Sequence, residues 1–209
     1  MSRESQKRRT RTAIIAAAVE LIRMGRQPTV AEVADAAEVS RATAYGYFPS
    51  QQALLLEVAV EVREQPALEE ELEAACAACQ DDVLCRWEAY GRLNHDVFIR
   101  NEPVFRMMLR AHQDGWLEAN RKGEADSVVL RQGRRLLGIE KVLAPVHGRI
   151  PESSYRQLTE GLALAMGIEP LVVLKDLCGA SSEQALERML WAGRVMIEAT
   201  LADSHLTRT

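Results

Sequence analysis

The sequence predicts an all-α fold in which an N-terminal three-helix helix-turn-helix domain is joined to a larger helical domain. Apolar residues recur at helical spacing along most of the 209 residues, and runs of alternating β-branched residues are not found outside those patterns. Glycine and proline mostly stand between amphipathic segments. With 47% hydrophobic residues, the chain can form a small domain over residues 1–50 and a larger one over residues 51–209.

The first and fourth predicted helices are amphipathic and flank a shorter pair. Residues 11–24 and 50–63 each place four apolar side chains on one face. These side chains are Ile14, Ala18, Leu21 and Ile22 in the first helix and Leu54, Leu55, Val58 and Val62 in the fourth. Two such faces can hold the short helices between them.

The second predicted helix begins directly after Thr29. Its apolar residues stand at offsets 0, 3, 4 and 7, which is one stripe of an α-helix, and they are Val30, Val33, Ala34 and Ala37. Thr29 is suited to the N-cap position, and Glu32, three residues further on, completes a capping box. The sequence therefore predicts that the helix starts at this point.

The third predicted helix starts at its N-cap, Ser40, and is ended by Pro49. Ala44 and Phe48 fall on one side. The other side carries Arg41, Ala42, Thr43, Tyr45 and Gly46. A helix of about two turns is not stable alone, so neighbouring helices must hold it while its polar side stays exposed.

The pair of short helices over residues 29–48 has the spacing of a helix-turn-helix, whose second helix enters the major groove of DNA. An alternative is a helical hairpin inside an ordinary core, with Tyr45 and Tyr47 as packed aromatics. The context favours DNA, because residues 1–11 carry a net charge of +4 on a chain whose total is −4. Such a segment suits phosphate contact or an arm in the minor groove, whereas the alternative is a disordered terminus.

The order and spacing of these motifs resemble the DNA-binding domain of the tetracycline-repressor (TetR) family. The resemblance rests on the basic start, Ile-Ile-Ala-Ala-Ala, Thr-Val-Ala-Glu-Val-Ala and Val-Ser-Arg-Ala-Thr-Ala-Tyr-Gly-Tyr-Phe-Pro-Ser. It implies a homodimeric transcriptional regulator, most commonly a repressor, that binds double-stranded DNA at a palindromic operator and is released by a small-molecule effector. The residues expected at the DNA are Arg8, Arg9, Thr29, Ser40, Arg41, Ala42, Thr43, Tyr45, Tyr47 and Gln51.

Individual roles follow from the resemblance and from side-chain chemistry. The family places its equivalents of Tyr45 and Tyr47 at phosphates, and that of Thr29 at the cap of the supporting helix. Arg41 can contact the O6 and N7 atoms of guanine through two hydrogen bonds, which is worth about 1–3 kcal/mol of discrimination. Ala42 can meet a thymine methyl group.

Three residues depart from the family pattern. Glu38 stands where the family usually has glycine, and a positive φ would cost roughly 1–2 kcal/mol there, unless a less strained turn forms. Gly46 replaces a larger, often basic residue, and Gln51 replaces a common lysine. These two changes predict a shallower salt dependence of DNA binding than in a more basic relative.

Beyond residue 60 the chain has a net charge of −6, and its remaining helices are predicted near 67–78, 82–100, 103–120, 127–145, 152–177 and 182–202. Pro170 predicts a kink in the fifth of these. The last two are strongly apolar, which fits either simple core or, as the family resemblance implies, a four-helix bundle between two subunits. The predicted interface residues are Leu158, Leu162, Leu186, Met189, Leu190, Gly193 and Ile197.

A candidate effector pocket lies between the two functional ends of the chain. Its residues are mainly apolar with sparse polar groups, as in small-molecule sites, and a largely apolar effector is expected. They are Trp87, Tyr90, Gly91, Asn94, His95, Phe98, Met107, Met108, His112, Trp116 and Tyr155. Gly91 is expected to leave room beside Trp87, although each of these residue types also occurs in ordinary cores.

Other chemistry has little support in the sequence. His95, His112 and Asp114 are related only by sequence proximity, and no phosphate-binding glycine loop, nucleophile elbow or HExxH motif is found. Cys76, Cys79 and Cys85 lack the fourth ligand of a structural zinc site, so no metal, cofactor or catalytic site is predicted. In a reducing cytoplasm all four cysteines are expected to be thiols, and a redox or soft-metal sensor is the alternative.

The first helix is not expected to be a secretory signal, because Glu20 and Arg23 interrupt its apolar residues. No run approaches the ~18 apolar residues that span a membrane, which favours a cytoplasmic protein. Two competing classes remain: an all-α enzyme or small-molecule-binding protein with an incidental helix-turn-helix, and a DNA-architectural protein without sequence preference.

Overall fold

The computed structural model describes residues 3–63, 66–123 and 134–206, and in these ranges it contains α-helices and no strand. This confirms the all-α fold class. A 3₁₀ turn, Ala144–Val146, follows the eighth helix, and a π-helical turn, Val173–Leu177, follows the tenth. The helices are α1 Arg3–Arg23, α2 Val30–Ala36, α3 Arg41–Tyr47, α4 Gln51–Arg63, α5 Pro66–Cys79, α6 Val83–Arg100, α7 Glu102–Arg121, α8 Arg134–Leu143, α9 Glu152–Ala165, α10 Ile168–Val172 and α11 Ser182–Leu206.

The helices form two compact units. The first comprises residues 1–64 and 101–128, and hence α1–α4 and α7, whereas the second comprises residues 65–100 and 129–209. Helix α7 therefore belongs with the N-terminal helices although α5 and α6 precede it in the chain. These compact units do not test the predicted domain boundary at residue 50, which stays a prediction.

The first unit buries the apolar faces predicted for α1 and α4. Ile14, Ile22, Leu54 and Val58 are all fully buried. Helix α4 also packs against α7, where the side-chain amide of Gln52 donates a hydrogen bond to the carbonyl of Ala111 at 2.9 Å. Helix α2 packs against α1 and α3, which attaches the short pair to the longer helices of this unit.

The second unit is built around α6, which packs against α5, α8 and α11. Trp87, Tyr90 and Phe98 on α6 are at most 3% exposed. Burial of side chains of this size supplies much of the hydrophobic stabilisation of such a unit. The core of the second unit therefore runs along α6.

Helix α1 starts earlier than predicted. The amphipathic pattern predicted a start at Arg11, but the helix begins at Arg3 and includes the basic segment. A disordered terminus was one of the alternatives for this segment, and it is wrong for Arg3–Arg23, which is helical. Phosphate contact and a minor-groove arm were the others, and they stay predictions. Lys7, Arg8 and Arg9 are exposed in the N-terminal part of α1.

The helix predicted over 152–177 is divided in two. Helix α9 ends at Ala165, and α10 begins at Ile168, after Gly167 has adopted a φ of 143° that strongly favours glycine. Pro170 lies in the first turn of α10, where its missing N–H breaks no helical hydrogen bond. The predicted kink at Pro170 is therefore wrong, because the chain breaks before it.

The other predicted helices agree with the structure to within a few residues, with one exception. Of the helix predicted over 127–145, the structure describes only Arg134–Leu143 as α-helix, followed by the 3₁₀ turn. Residues 127–133 lie outside the described residues.

Candidate nucleic-acid interface

Helix α3 is held by its apolar side and exposes its polar side. Ala44 is 0% and Phe48 2% exposed, as predicted, and these two side chains anchor the helix. Arg41, Ala42 and Thr43 are exposed, and Tyr45 is 47% exposed. The residues predicted to contact bases are thus accessible together on one short helix.

The start of α3 is capped as the sequence predicted. The Ser40 hydroxyl oxygen accepts the backbone N–H of Thr43 at 3.1 Å, and the two hydroxyl oxygens lie 2.7 Å apart. The cap satisfies one of the backbone donors that a helix start leaves unpaired. It also fixes both hydroxyls at the exposed start of the helix.

The turn between α2 and α3 is a Schellman motif. The N–H of Val39 donates to the carbonyl of Ala34 at 3.0 Å, and that of Glu38 donates to Asp35 at 3.3 Å. Glu38 has a φ of 55°, so the less strained alternative is not adopted. The chain accepts a non-glycine residue in the left-handed region in order to place α3 at this angle.

Thr29 forms the predicted capping box with Glu32. The Thr29 hydroxyl oxygen accepts the N–H of Glu32 at 3.2 Å, and the N–H of Thr29 donates to the Glu32 carboxylate at 2.7 Å. Arg26 adds an ion pair to the same carboxylate at 2.9 Å. The hydrogen bond from the Thr29 backbone is the largest cause that lowers the pKa of Glu32, so this carboxylate is charged at neutral pH.

Two further predicted DNA contacts carry intramolecular hydrogen bonds. The Tyr47 hydroxyl donates to the backbone carbonyl of Lys7 at 3.1 Å, which joins α3 to α1. The Gln51 amide donates to the carbonyl of Pro28 at 2.9 Å, at the start of α2. A phosphate also needs a donor, so Tyr47 must give up its present hydrogen bond to contact one, whereas the Gln51 amide carries a second N–H.

The basic start of α1 has two parts. Arg8 and Arg9 are exposed. Arg11 forms ion pairs across to α4, with Glu57 and, at 3.6 Å, with Glu61. Carboxylates of α4 therefore neutralise part of the charge of Arg11.

The sequence analysis missed Asp35 as a member of this surface. Its carboxylate accepts two hydrogen bonds from Arg41, from Nη2 at 2.8 Å and from Nε at 3.3 Å. These bonds lower the pKa of Asp35 and raise that of Arg41. A signal was present, since an acidic residue in the last turn of a helix is disfavoured by the helix dipole and calls for a partner.

The α6 residues predicted for the effector pocket are core residues of the second unit. The indole N–H of Trp87 donates to the carbonyl of Leu190 at 3.0 Å, and the Tyr90 hydroxyl donates to the backbone carbonyl of Arg135 at 3.3 Å. Gly91 was expected to leave room beside Trp87. This expectation is wrong, because a Cβ at Gly91 would lie 2.4 Å from the Leu190 side chain, which occupies that space.

The polar members of the α6 set also have partners. The Asn94 amide donates to the carbonyl of Tyr90 at 2.8 Å, and His95 Nε2 lies 2.8 Å from the carbonyl oxygen of Ser182. Both side chains are buried. Their hydrogen bonds show how polar side chains are accommodated in this core.

The α7 residues of the predicted pocket are more accessible. Met107, Met108 and His112 are partly exposed, and Trp116 is 49% exposed. A cavity of about 130 Å³ opens between α4 and α7 within the first unit. Its lining is mixed, and consists of Gln27, Gln51, Gln52, Leu55, Met107, Arg110, Ala111 and Asp114.

Tyr155 lies in the first turn of α9. Its ring packs on that of His147 with centroids 4.8 Å apart. Burial is the largest cause that raises the pKa of its hydroxyl, so the phenol is neutral at physiological pH. It is thus placed to pack as a neutral ring.

The structure corrects the residues chosen for the dimer interface. Leu158, Leu162, Met189, Gly193 and Ile197 are buried within the single chain, while Leu186 and Leu190 are partly exposed. The helical stripe that looked like a subunit contact is the side on which α9 and α11 pack in their own unit. Among the described side chains of these two helices, the large exposed apolar ones are Leu164, Trp191 and Val195, which are 79%, 66% and 44% exposed.

The cysteines do not all remain thiols. Cys79, the last residue of α5, forms a disulfide with Cys85 in the first turn of α6, and their Cα atoms are 5.6 Å apart. The predicted set of four thiols is therefore wrong, because a turn between the helices brings two cysteines together. Cys76 is buried and Cys178 exposed as free thiols, and burial raises the pKa of Cys76.

In the described ranges, no group of three or more His, Cys, Asp or Glu side chains is arranged to hold a metal ion. Within the same residues, no single helix is long and apolar enough to cross a membrane; one bent pair, Glu152–Ala165 with Ile168–Leu177, reaches the required length and composition only jointly.

A capped two-turn helix with an exposed polar side, following a supporting helix and a tight turn, defines a helix-turn-helix DNA-binding protein. Residues 14–58 match the family model of bacterial regulatory proteins of the TetR family. Residues 14–58 are thus similar to the DNA-binding domain of TetR-family transcriptional regulators, as the sequence motifs predicted. No curated protein matches the chain.

Proposed function

We propose that this protein is a homodimeric repressor that binds a palindromic operator and leaves it when a small-molecule effector binds. The observation that carries the proposal is the exposed polar side of α3, with Arg41 accessible while Ala44 and Phe48 hold the helix from behind. A DNA-binding regulator acts where the bacterial chromosome lies, so the proposal places it in the cytoplasm.

The DNA contacts follow from the chemistry of the exposed side chains. Arg41 contacts guanine in the major groove, and Ala42 contacts a thymine methyl group. Ser40, Thr43 and Tyr45 contact adjacent bases or phosphates. Exposed Arg8 and Arg9 on α1 neutralise phosphates and account for the salt dependence of binding.

Thr29, Tyr47 and Gln51 are proposed to act close to the DNA backbone. Thr29 acts through its cap, because its hydroxyl is engaged with Glu32. Tyr47 exchanges its present carbonyl acceptor for a phosphate oxygen, and Gln51 offers the second N–H of its amide to another. Such an exchange conserves the number of hydrogen bonds, so it costs less than leaving a donor unpaired.

Dimerisation is proposed through α9 and α11. Leu164, Trp191 and Val195 expose apolar area on these helices, and a two-fold axis would bury the same residues from both subunits. One helix of two turns contacts few bases. A dimer places two such helices at half-sites about 34–36 Å apart, which explains the need for a palindromic operator.

The effector is proposed to contact α7. Met107, Met108, His112 and Trp116 combine an apolar surface with one titratable ring and remain accessible. Methionine side chains adapt to ligands of different shape. An effector that prefers the state with the wrong spacing between recognition helices weakens DNA binding, and DNA weakens effector binding by the same factor.

Footprinting of the purified protein on DNA upstream of its own coding region tests the proposal. We expect a protected site with two-fold symmetry, and we expect Arg41→Ala to lose preference for that site while remaining a dimer. Binding without sequence preference would instead indicate an architectural protein. Catalytic turnover of a small molecule without DNA binding at moderate salt would indicate an enzyme.

A further inference from the structure

The ion pair between Asp35 and Arg41 joins the two helices of the DNA-binding motif. Asp35 lies in the last turn of α2 and Arg41 is the first residue of α3. The carboxylate accepts from Nη2 at 2.8 Å and from Nε at 3.3 Å, so both of its oxygens are engaged. Both side chains are more than half exposed, at 58% and 65%.

The geometry of the pair uses only one edge of the guanidinium group. An arginine side chain has five N–H donors: one on Nε and two on each terminal nitrogen. Asp35 occupies the edge formed by Nε and Nη2. The edge formed by Nη1 and the second hydrogen of Nη2 still offers two donors, which is what the O6 and N7 acceptors of guanine require.

The pair also restricts Arg41 before DNA arrives. A free arginine side chain loses considerable rotamer freedom when it docks, and the two-point contact with Asp35 removes part of that freedom in advance. The charge of Asp35 has a second effect, since a carboxylate beside the DNA repels phosphate oxygens. Both effects favour a base over the backbone as the partner of Arg41.

We propose that Asp35 is a positioning residue, which holds Arg41 so that its outer edge contacts guanine and which weakens binding to other sequences. The inference rests on the proposed function, because it assumes that Arg41 contacts a base. Asp35 thus contributes to sequence discrimination although it touches no base. Its negative charge also lowers the overall affinity of the protein for DNA.

If the pair only stabilised the fold, Asp35→Asn would lower the melting temperature. Because exposed ion pairs contribute little to folding stability, we instead expect Asp35→Asn to leave the melting temperature unchanged. The pair of Arg92 with Glu88 on α6, at 2.7 Å, is a matched control for the loss of one exposed acid. Glu88→Gln should change neither the stability nor the discrimination between DNA sites.

The experiment begins with selection of preferred duplexes from a random library by the wild-type protein. Binding of Arg41→Ala to single-base variants of the best site identifies the G·C pair whose preference depends on Arg41. Dissociation constants are then measured at one fixed salt concentration for wild type, Asp35→Asn, Arg41→Ala and the double variant. Each protein is tested on the preferred site and on the site with that pair replaced.

We expect Asp35→Asn to reduce the ratio of the two dissociation constants by about 3–10-fold and to tighten binding to the replaced site. In the Arg41→Ala background the same substitution should cause no further loss of discrimination. An unchanged ratio in Asp35→Asn would overturn the inference alone. An equal loss in both backgrounds would also overturn it, because Asp35 would then act without Arg41. A wild-type protein that selects no site would refute the proposed function and the inference with it.

Discussion

The indole of Trp87 lies directly against the backbone of Gly193, so α6 and α11 meet where one residue has no side chain. A Cβ at Gly193 would lie 2.2 Å from the indole Cε2 and Cζ2 atoms. The indole N–H donates to the Leu190 carbonyl one turn earlier in α11, at 3.0 Å. The close approach therefore fixes both the distance and the register of the two helices.

Gly193→Ala should destabilise the protein, although alanine favours helix by about 1 kcal/mol relative to glycine. Trp87 is 1% exposed and cannot move aside, and overpacking of this kind costs about 1–3 kcal/mol. We expect a net loss of up to about 2 kcal/mol in the free energy of unfolding, measured by urea titration. Gly46→Ala on α3 is the matched control, because nothing lies within 4 Å of its Cβ, and it should be stabilising. A Gly193→Ala protein as stable as Gly46→Ala would contradict the packing described.

Glu38→Gly should stabilise the protein. Glu38 has a φ of 55°, which costs a residue with a side chain about 1 kcal/mol. Glycine would remove this strain, but its greater freedom in the unfolded chain would cancel part of the gain. We expect a net gain of roughly 0.5 kcal/mol, measured by thermal and urea unfolding. Glu38→Gln removes the charge and keeps the strain, so it should match wild type. If Glu38→Gln gave the same gain, the charge and not the backbone would be responsible.

The helix-turn-helix segment over residues 29–48 was predictable because its signals are local. Thr29 with Glu32 and Ser40 with Thr43 each form a cap from residues three apart in the sequence, and both caps are present. The burial of Ala44 and Phe48 follows from helical periodicity alone. Local hydrogen bonds and one-sided apolar patterns leave few alternative structures for such a segment.

The second unit was less predictable because its contacts depend on how separate helices pack together. Periodicity identified the apolar stripe of α11 but could not show whether Gly193 and Ile197 meet the same chain or a second copy. The bond between Cys79 and Cys85 depends on the turn between two helices. In the first unit, likewise, Asp35 and Arg41 are close only because the turn between α2 and α3 has a particular shape. These relationships require three-dimensional positions.

Trp191→Glu should weaken the proposed dimer. Trp191 is 66% exposed in the single chain, so the substitution should not unfold a subunit, but it would place a charge in an apolar interface. Loss of a central aromatic contact costs about 2 kcal/mol, or roughly 30-fold in the dimer dissociation constant. Sedimentation equilibrium measures this constant. Leu117→Glu on α7, where the side chain is 59% exposed, is the control and should leave the dimer unchanged. Equal dimer dissociation constants for the two variants would exclude the surface of α9 and α11 as the dimer interface.

The two helix caps should respond differently to acid. Thr29→Ala and Ser40→Ala should each cost about 1 kcal/mol near neutral pH. Because the pKa of Glu32 is lowered in the folded protein, its contribution is present above its ordinary value of 4.5 and is lost as the pH falls through the lowered value. We therefore expect the difference in free energy of unfolding between wild type and Glu32→Gln to narrow below about pH 4.5. Urea unfolding repeated from pH 7 to pH 3 measures this difference. The Ser40→Ala difference should stay constant, since hydroxyls supply that cap. A Glu32→Gln difference independent of pH would refute a role for the carboxylate charge.

The four cysteines should fall into three reactivity classes in protein isolated without reductant. Cys178 is exposed and should react rapidly with a thiol reagent, whereas Cys76 should react slowly, because its thiol is buried and burial raises its pKa. Cys79 and Cys85 should react only after reduction, since they are joined. Closing so short a loop stabilises the folded state by roughly 2 kcal/mol, so reduction should lower stability by about that amount. Cys178→Ser should abolish the rapid phase alone, and Cys85→Ser should release Cys79 as a thiol that needs no reductant. Detection of four free thiols by mass spectrometry before reduction would contradict the disulfide that joins α5 to α6.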